Sequence, residues 1–221
     1  MKLFIDSAKI EEIQKLEDLG VIDGITTNPT LASVTGKKFK DLVSEIFETL
    51  SKDRIINLEV IATDYDNILK QARALAALDS RVVVKIPCIP DGLKACKKLS
   101  EEGIRVNITL VFSPMQALLC AKMGAFYVSP FVGRLDDISM DGMDVISEIV
   151  KIYKNYEYKT QILFASVRSV EHIRLAALAG VDIVTSPYNF IMEMYNHPLT
   201  DKGLAQFLED WKNAGEEFIA V

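Results

Sequence analysis

The sequence predicts an α/β fold, a closed (β/α)8 or TIM barrel with additional helices after its last strand. Short apolar runs alternate with longer amphipathic stretches almost throughout the chain, as expected for strands connected by helices. Eight strand candidates and their intervening helices fit between residues 2 and 185, and that alternation is typical of a parallel barrel. Gly103, Gly124 and Gly180 each separate a helical pattern from an apolar run, as glycines do at helix ends.

The predicted elements follow one another in order along the chain. Strands are predicted at residues 2–6, 22–26, 55–61, 81–86, 104–110, 125–129, 161–165 and 181–185. Helices are predicted at residues 8–19, 39–51, 64–78, 91–102, 114–123, 141–154, 170–179, 188–196 and 201–214. The main alternative is an open doubly wound sheet, but no Gly-x-Gly-x-x-Gly motif follows any predicted strand.

No proline- or serine-rich linker interrupts this pattern. Residues 1–221 are therefore predicted to form one domain that includes a C-terminal helical tail. The tail contains Trp211 and Phe218 and has no following strand to cover. We expect it either to cover the barrel mouth or to pack on a neighbouring subunit.

Composition argues against several classes of protein. The net charge of −6 without a basic stripe disfavours general nucleic-acid binding, and no apolar run is long enough to cross a membrane. The chain reaches the acidic Asp6 too early for a signal peptide. Cys88, Cys96 and Cys120 lack metal-ligand spacing and are interpreted as reduced packing residues. These features predict a cytoplasmic protein with neither nucleic-acid nor membrane partners.

Lys85 lies in the run RVVVKIP at residues 81–87, whose β-branched residues predict a buried strand. Burial disfavours a charged ammonium, and a neutral amine is a nucleophile toward carbonyl groups. Lys85 is therefore a candidate for Schiff-base chemistry. The alternative is a structural lysine whose long side chain extends from the strand to solvent.

Polar residues recur where the predicted strands end. They are Asp6, Thr26, Asn28, Glu59, Asn107, Thr109, Ser129 and Ser166. In a barrel these ends meet at one face, where catalytic groups gather. Because side chains alternate between faces with a period of two, Asn107 shares a face with Thr109, and Asn57 with Glu59.

Each of these residues also has a purely structural interpretation. Asp6 precedes a predicted helix that it could cap, and Asn28 precedes a proline and could be a turn residue. Thr109 alone is an ordinary β-branched strand residue. Glu59 is harder to explain in this way, because its neighbours are apolar and an unpaired buried carboxylate is costly. The common location of all these residues favours a functional site.

Arg134 and Arg168 follow the sixth and seventh predicted strands. Each alone could be an ordinary surface arginine. Together with Ser166, and beside the loops where barrels often bind phosphate, they predict an anion clamp. His172 falls in a predicted helix and His197 in the tail, so neither is interpreted as catalytic, and no metal-ligand cluster is visible.

A lysine nucleophile, two carboxylates, hydroxyl groups and two arginines suit Schiff-base chemistry on a phosphorylated carbonyl compound. Carbon–carbon cleavage needs an electron sink, which a protonated imine supplies. It also needs a base for the hydroxyl proton, a role open to Asp6. Glu59 is then available as a second acid and base while the imine forms and hydrolyses.

Over essentially its whole length, the chain resembles the small-subunit transaldolase family, which includes fructose-6-phosphate aldolases. The matching segments are FID at 4–6, DGITTNPTL at 23–31, VKIP at 84–87, NITLVFS at 107–113, YVSPFVGRLDD at 127–137, ASVR at 165–168, HPLTDKGL at 197–204 and FLEDW at 207–211. The TTNP and SPFVGR-LDD segments are specific to this family, whereas VKIP alone is a weak signal.

The resemblance implies a (β/α)8 barrel in which Lys85 forms the Schiff base, Asp6 accepts a proton during cleavage, and Glu59 and Thr109 hold a water for proton shuttling. The substrate-binding residues implied by the same match are Thr26, Asn28, Asn107, Ser129, Phe131, Arg134, Ser166 and Arg168, with Arg134, Ser166 and Arg168 for the phosphate. No cofactor or metal is expected. The resemblance also implies a homo-oligomer, commonly a decamer, whose C-terminal helix packs on a neighbour.

Two positions separate the branches of the family. Fructose-6-phosphate aldolases commonly have Gln at the position of Glu59 and Tyr at that of Phe131, so this chain resembles the transaldolase branch. Ser129 and Arg168 also match that branch. The segment CIPDG at 88–92 departs from the Thr or Met-Thr that usually precedes the glycine. It lies beyond the lysine and is expected to alter only the loop.

The implied reaction belongs to the pentose phosphate pathway. A dihydroxyacetone unit moves from sedoheptulose 7-phosphate to glyceraldehyde 3-phosphate, which yields erythrose 4-phosphate and fructose 6-phosphate. One alternative is a fructose-6-phosphate aldolase that releases free dihydroxyacetone. Another is a non-catalytic barrel that binds sugar phosphates, which the intact set of Lys85, Asp6 and Glu59 disfavours.

Overall fold

The computed structural model describes residues 1–214 and contains eight parallel strands closed into a barrel. The strands are β1 (Lys2–Asp6), β2 (Gly24–Thr26), β3 (Ile55–Glu59), β4 (Val82–Pro87), β5 (Val106–Val111), β6 (Tyr127–Pro130), β7 (Gln161–Phe164) and β8 (Ile183–Ser186). Each strand pairs with its neighbours in chain order, and β1 closes the ring by pairing with β8. The predicted (β/α)8 barrel is confirmed, and the open-sheet alternative is wrong.

Helices surround the strands and extend beyond β8. They are α1 (Ile10–Asp18), α2 (Pro29–Ser33), α3 (Phe39–Thr49), α4 (Tyr65–Ala76), α5 (Pro90–Glu101), α6 (Pro114–Lys122), α7 (Val132–Asp136), α8 (Gly142–Asn155), α9 (Val170–Ala179), α10 (Tyr188–Glu193) and α11 (Pro198–Ala214). Every predicted helix is present. The sequence does not predict α2 and α7, because five residues are too few to show a helical period.

Local sequence signals explain where several helices begin and end. The hydroxyls of Ser113 and Ser169 accept hydrogen bonds of 3.2 Å from the backbone at Gln116 and His172, which caps α6 and α9. Gly180 ends α9 in the left-handed conformation, with φ of 79°. A residue with a side chain would be strained there, so glycine is the predicted stop.

Several strand ends differ from the prediction by one or two residues. The second strand begins at Gly24, two residues later than predicted, because Ile22 is buried in the approaching turn and reads as a strand residue in the sequence. The third strand ends at Glu59 rather than at residue 61, and Ile61 is 76% exposed. The atypical segment at 88–92 is only partly a loop, because its last three residues form the first turn of α5.

Two separate apolar clusters fill the molecule. The larger one lies between the strands and the helices. The smaller one lies inside the barrel and contains Phe4, Val83, Tyr127, Leu163 and Ile183, which we call the barrel floor. Because the floor occupies the half toward the amino ends of the strands, polar side chains are confined to the carboxyl-end half of the interior.

Helix α11 buries none of its residues. Phe207 is 73% exposed and Trp211 is 46% exposed, so the described part of the tail does not cover the barrel mouth, and that expectation is wrong for residues 198–214. Packing on a neighbouring subunit stays a prediction, as does the single-domain organisation of residues 1–221. Phe218 lies outside the described residues. Within residues 1–214, no helix is both long and apolar enough to cross a membrane.

Candidate active site

Polar side chains from seven strands project into the carboxyl-end half of the barrel. We call this group the polar layer, and its members are Asp6, Thr26, Asn57, Glu59, Lys85, Asn107, Thr109, Ser129 and Thr185. Phe4 and Val83, two positions before Asp6 and Lys85, also face the interior, as the period of two requires. Most of these side chains are buried, so their mutual contacts replace hydration.

Lys85 lies at the centre of the polar layer and is only 4% exposed. Its Nζ atom is 3.0 Å from the Glu59 carboxylate and donates a hydrogen bond of 3.2 Å to the carbonyl oxygen of Thr27. Glu59 lies opposite Lys85 in the β3–β4 register, which explains why the two meet. The structural alternative of a lysine extending to solvent is wrong. The buried pair can exchange a proton over one hydrogen bond.

Asp6 ends β1 and accepts a hydrogen bond of 2.7 Å from the Thr26 hydroxyl. Burial raises the pKa of the Asp6 carboxyl above its ordinary value, while the Lys85 ammonium and the Thr26 bond act in the opposite direction. A carboxyl of this kind is a better proton acceptor than a solvated one. The helix-capping alternative is wrong, because α1 begins at Ile10 and Lys9 occupies its N-cap.

Three side chains form a buried hydrogen-bonded row across β3, β5 and β6. The Asn57 amide donates to the carbonyl of Ile25 at 3.1 Å, and Asn107 donates to the Asn57 side-chain oxygen at 3.0 Å. Ser129 in turn donates to the Asn107 oxygen at 2.7 Å. These contacts fix the orientation of the Asn107 amide and leave it one further N–H for another partner.

The Thr109 hydroxyl is fully buried and has no hydrogen-bond partner among residues 1–214. The next residue, Leu110, has a φ of 58°, and the β5–β6 pairing shifts register between Ile108 and Val111. A leucine in the left-handed region is strained. A bulge beside an unpartnered hydroxyl is typical of a functional position.

Asn28 caps α2, since its side-chain oxygen accepts a hydrogen bond of 2.9 Å from the backbone of Leu31. The structural interpretation is therefore correct for this oxygen. The amide nitrogen of Asn28 donates to none of the described residues. Asn28 can therefore cap the helix and still offer two donors to another molecule.

Arg134 and Arg168 are both exposed and lie beside the same glycine. A Cβ atom at Gly133 would lie 2.6 Å from the Arg168 side chain and 2.1 Å from the Ser166 carbonyl oxygen. The absence of a side chain at Gly133 thus lets the loops after β6 and β7 close on each other. Ser166 has a φ of 64°, a strained conformation for serine. The structure places Ser166 and Arg168 beside Gly133, the residue that precedes Arg134, and the anion clamp itself stays a prediction.

Neighbouring side chains hold the two arginines in position. The Arg134 guanidinium lies over the Phe131 ring, 5.0 Å from its centroid. Arg168 forms an exposed ion pair of 3.0 Å with Asp137, and its backbone N–H donates to His172 at 3.2 Å. His172 lies in α9, as predicted. Its Nε2 atom is 3.2 Å from the Asp136 carboxylate, and its lack of a catalytic role stays a prediction.

Sequence reasoning missed two members of the polar layer. Asn57 shares a face with Glu59 by parity, but nothing in the sequence alone shows that it contacts Asn107. Thr185 lies in β8, for which no site residue was predicted, and its hydroxyl is 2.6 Å from that of Thr26. The available signal was a threonine two residues after the apolar Ile183, near the carboxyl end of a strand.

The fold and the polar layer define a (β/α)8-barrel enzyme of the aldolase type, with a buried lysine between acidic side chains. The profile of the family described as Transaldolase/Fructose-6-phosphate aldolase matches residues 3–218. The chain belongs to this family.

Curated relatives agree with that assignment. A probable transaldolase of Petrotoga mobilis (strain DSM 10674 / SJ95) is 53% identical over 96% of this chain and 95% of its own length. A probable transaldolase of Geotalea uraniireducens (strain Rf4) is 52% identical over 96% of this chain and 98% of its own length. One of Aquifex aeolicus (strain VF5) is 52% identical over 98% of this chain and 99% of its own length.

Proposed function

We propose that the protein is a transaldolase, which transfers a dihydroxyacetone unit between sugar phosphates through an imine on Lys85. The observation that carries this proposal is the ion pair of 3.0 Å between Lys85 and Glu59 inside the barrel, with Asp6 in the same polar layer. An exposed lysine would stay protonated and hydrated. A buried one paired with a carboxylate has a proton acceptor in direct contact.

Imine formation begins when Glu59 accepts a proton from the Lys85 ammonium. The free amine attacks the ketone carbon of the substrate and forms a carbinolamine. Glu59 then returns its proton through a water that it holds together with Thr109. This proton reaches the former carbonyl oxygen, which leaves as a second water molecule. The unpartnered Thr109 hydroxyl supports this role, because it is a buried hydrogen-bonding group with no protein partner in the described chain.

Cleavage follows from the protonated imine. Asp6 takes the proton of the C4 hydroxyl, the C3–C4 bond breaks, and its electron pair moves toward the imine nitrogen to form an enamine. The C4 fragment leaves as an aldose phosphate. The enamine on Lys85 then attacks an acceptor aldehyde, Asp6 returns its proton to the new hydroxyl, and hydrolysis of the imine releases the product.

Substrate binding is assigned to the residues around this centre. Arg134, Ser166 and Arg168 hold the phosphate, for which charge-assisted hydrogen bonds and the close approach at Gly133 are suitable. The residues that bind substrate hydroxyls are Thr26, Asn28, Asn107 and Ser129. The donor is sedoheptulose 7-phosphate and the acceptor glyceraldehyde 3-phosphate, as in the pentose phosphate pathway of the cytoplasm.

Phe131 favours transfer over release. An aldolase must protonate the enamine and hydrolyse the imine before an acceptor arrives, and a tyrosine hydroxyl at this position would order water or assist that protonation. The Phe131 ring packs instead against Phe112 and the Arg134 guanidinium. The three-carbon unit should therefore survive on Lys85 until the acceptor aldehyde binds.

The proposed enzyme is a homo-oligomer, with a decamer as the expected form. The apolar side chains that α11 exposes include Leu204, Phe207, Leu208 and Trp211. An exposed row of this kind on a helix that buries nothing is typical of a protein interface. Light scattering after size-exclusion chromatography should give a mass several times that of one chain, and Phe207→Glu should lower it.

One experiment tests the reaction and its lysine together. Borohydride reduction with fructose 6-phosphate should add a dihydroxyacetone-derived mass to the peptide that carries Lys85, and this mass should be absent in Lys85→Arg. Lys122→Arg, on the outer helix α6, is the matched control and should retain the label. Labelling elsewhere in an active preparation would contradict the assignment.

The ratio of two rates then separates transfer from release. Erythrose 4-phosphate production with a saturating acceptor should exceed the release of free dihydroxyacetone from fructose 6-phosphate. A faster release than transfer in the wild type would make the protein a fructose-6-phosphate aldolase instead. No label and no turnover would favour a non-catalytic barrel.

A further inference from the structure

Two threonine hydroxyls connect β8 to Asp6 through the interior of the barrel. The Thr185 hydroxyl is 2.6 Å from the Thr26 hydroxyl, which lies 2.7 Å from an oxygen of Asp6. Thr26 is 1% exposed and Thr185 is 3% exposed, so water does not compete for these contacts. Both distances lie within the normal range for hydroxyl hydrogen bonds.

The direction of this chain of hydrogen bonds follows from proton counting. An ionised carboxylate only accepts hydrogen bonds, so the single proton of Thr26 points to Asp6. The contact between the two hydroxyls then requires that Thr185 donate and Thr26 accept. The Oδ2 atom of Asp6 has no partner among residues 1–214, whereas Oδ1 is occupied by Thr26.

We propose that Thr185 is a positioning residue for Asp6. The Thr185 hydroxyl donates to Thr26, so the Thr26 hydroxyl donates to Oδ1 of Asp6. Oδ2 of Asp6 then stays free to accept the hydroxyl proton of the substrate. This inference deepens the proposed transaldolase function and rests on it. Chains of hydrogen bonds strengthen one another inside a protein, so the outer link affects the carboxylate through Thr26.

Other charged groups also act on Asp6, and none of them lies on β8. The Lys85 ammonium favours the ionised form, and Glu59 is paired with that lysine. Lys9, Glu12 and Tyr188 line the cavity that Asp6 faces between α1 and α10. A change at Thr185 leaves all of these in place, which makes the effect of the hydroxyl separable.

The test is the pH dependence of kcat/KM in Thr185→Val, which keeps the shape of the side chain and removes the hydroxyl. Without its donor, Thr26 stabilises the carboxylate less. On the acidic side of the profile, which we call the acid limb, kcat/KM falls as Asp6 becomes protonated. This limb should move to higher pH by about 0.5 to 1 unit, the equivalent of one ordinary hydrogen bond. At a pH on that limb kcat/KM should fall by about threefold to tenfold, with little change on the plateau.

Two further variants distinguish positioning from packing. Thr185→Ser restores the hydroxyl and should return the limb to its wild-type position. Thr160→Val is the matched control, because Thr160 is a buried threonine whose hydroxyl donates to Ala125, outside the polar layer. Thr160→Val should leave the acid limb of kcat/KM unchanged.

The proposal would be overturned if the acid limb did not move in Thr185→Val, or if it moved as far in Thr185→Ser as in Thr185→Val. If the Val variant does not fold, Thr185→Ala serves in its place.

A measurement without substrate separates this inference from the proposed function. Carbon-13 NMR of labelled aspartate carboxyls, assigned with Asp6→Asn, should show the Asp6 titration at higher pH in Thr185→Val than in wild type. An Asp6 titration that does not move overturns the positioning role in any case. If the Asp6 titration shifts in Thr185→Val but the wild-type protein neither transfers nor cleaves sugar phosphates, only the transaldolase function is overturned. The role of Thr185 is then supported.

Discussion

The barrel floor and the polar layer share four strands, β1, β4, β6 and β8, on which their residues are two positions apart, yet the layers serve opposite purposes. Phe4 precedes Asp6, Val83 precedes Lys85 and Tyr127 precedes Ser129 by one repeat of the strand. Apart from the Tyr127 hydroxyl, the floor consists of buried apolar groups. The polar layer therefore rests on a rigid, low-dielectric base, where its charges interact more strongly than in water.

Each of the two layers contains one buried hydroxyl without a partner in residues 1–214, Tyr127 in the floor and Thr109 in the polar layer. Burying a hydroxyl without a partner lowers the free energy of unfolding. In the floor this loss has no chemical use, whereas in the polar layer the hydroxyl is available to the reaction, so the two residues allow stability and function to be compared. The predictions that follow are ordered from the largest expected effect to the smallest.

Asp6→Asn should lower kcat by about 10² to 10⁴-fold, the usual contribution of a general base. The same change should raise the free energy of unfolding at neutral pH. Burial raises the pKa of Asp6, so above pH 3.8 the unfolded chain ionises more readily, and the folded protein is destabilised as pH rises. Asparagine removes this cost, and the gain should vanish below the ordinary pKa.

Kinetics and urea denaturation across pH measure the two effects of Asp6→Asn. Asp41→Asn, on the exposed face of α3, is the control and should change neither quantity. A large loss of stability with the loss of activity would mean that Asp6 serves structure as well as chemistry.

Phe4→Ala should lower the free energy of unfolding by about 3–5 kcal/mol, because it leaves a cavity in the floor. Phe4 is fully buried and meets the Tyr127 ring edge to face. Below the melting temperature, the acid limb and the Lys85 label should persist, since the polar layer keeps its own contacts. Loss of the label in a folded variant would show that the two layers are not separable.

Arg134→Ala should raise KM for phosphorylated substrates about tenfold or more, since a charge-assisted hydrogen bond contributes roughly 1.5–3 kcal/mol. An unphosphorylated substrate should be affected far less. Arg174→Ala removes an exposed arginine of α9 that pairs with Glu171, and it is the matched control. Equal losses on both classes of substrate would argue against a phosphate role.

Tyr127→Phe should stabilise the protein by about 1 kcal/mol, because it removes a buried hydroxyl without a partner in residues 1–214. Thr109→Val should give no such gain, because in the proposed mechanism the Thr109 hydroxyl holds a water. Burial raises the pKa of Tyr127 to about 12, so its phenol stays neutral and has no acid–base use near neutral pH. Only Thr109→Val should lower activity. Thermal denaturation and turnover of the pair measure this difference, which equal activities would contradict.

The fold and most of the site residues follow from the sequence, but their contacts do not. Apolar periodicity and helix-ending glycines are local signals, and they predict every strand of the barrel. Parity places Asn107 on the same face as Thr109, and Glu59 on the same face as Asn57. The ion pair between Lys85 and Glu59 depends on the β3–β4 register, a long-range property that no local pattern contains.

Missed features have the same physical origin. Thr185 resembles any β-branched strand residue until β8 is placed beside β1. The need for a glycine at 133 comes from the carbonyl oxygen of Ser166, more than thirty positions away in the chain. The family resemblance supplies roles for individual residues, but it says nothing of Asn57, whose amide orients Asn107.

Closure of the ring between β1 and β8 also determines when the site can first exist during synthesis. The hydroxyls of Thr26 and Thr185 are 159 positions apart, so Asp6 acquires its full hydrogen-bonded surroundings only after β8 has left the ribosome. Until then β1 presents an open edge, which is able to pair with other chains. A ribosome that stalls before β8 should thus hold a nascent chain that is inactive and prone to aggregate, although it already carries Lys85.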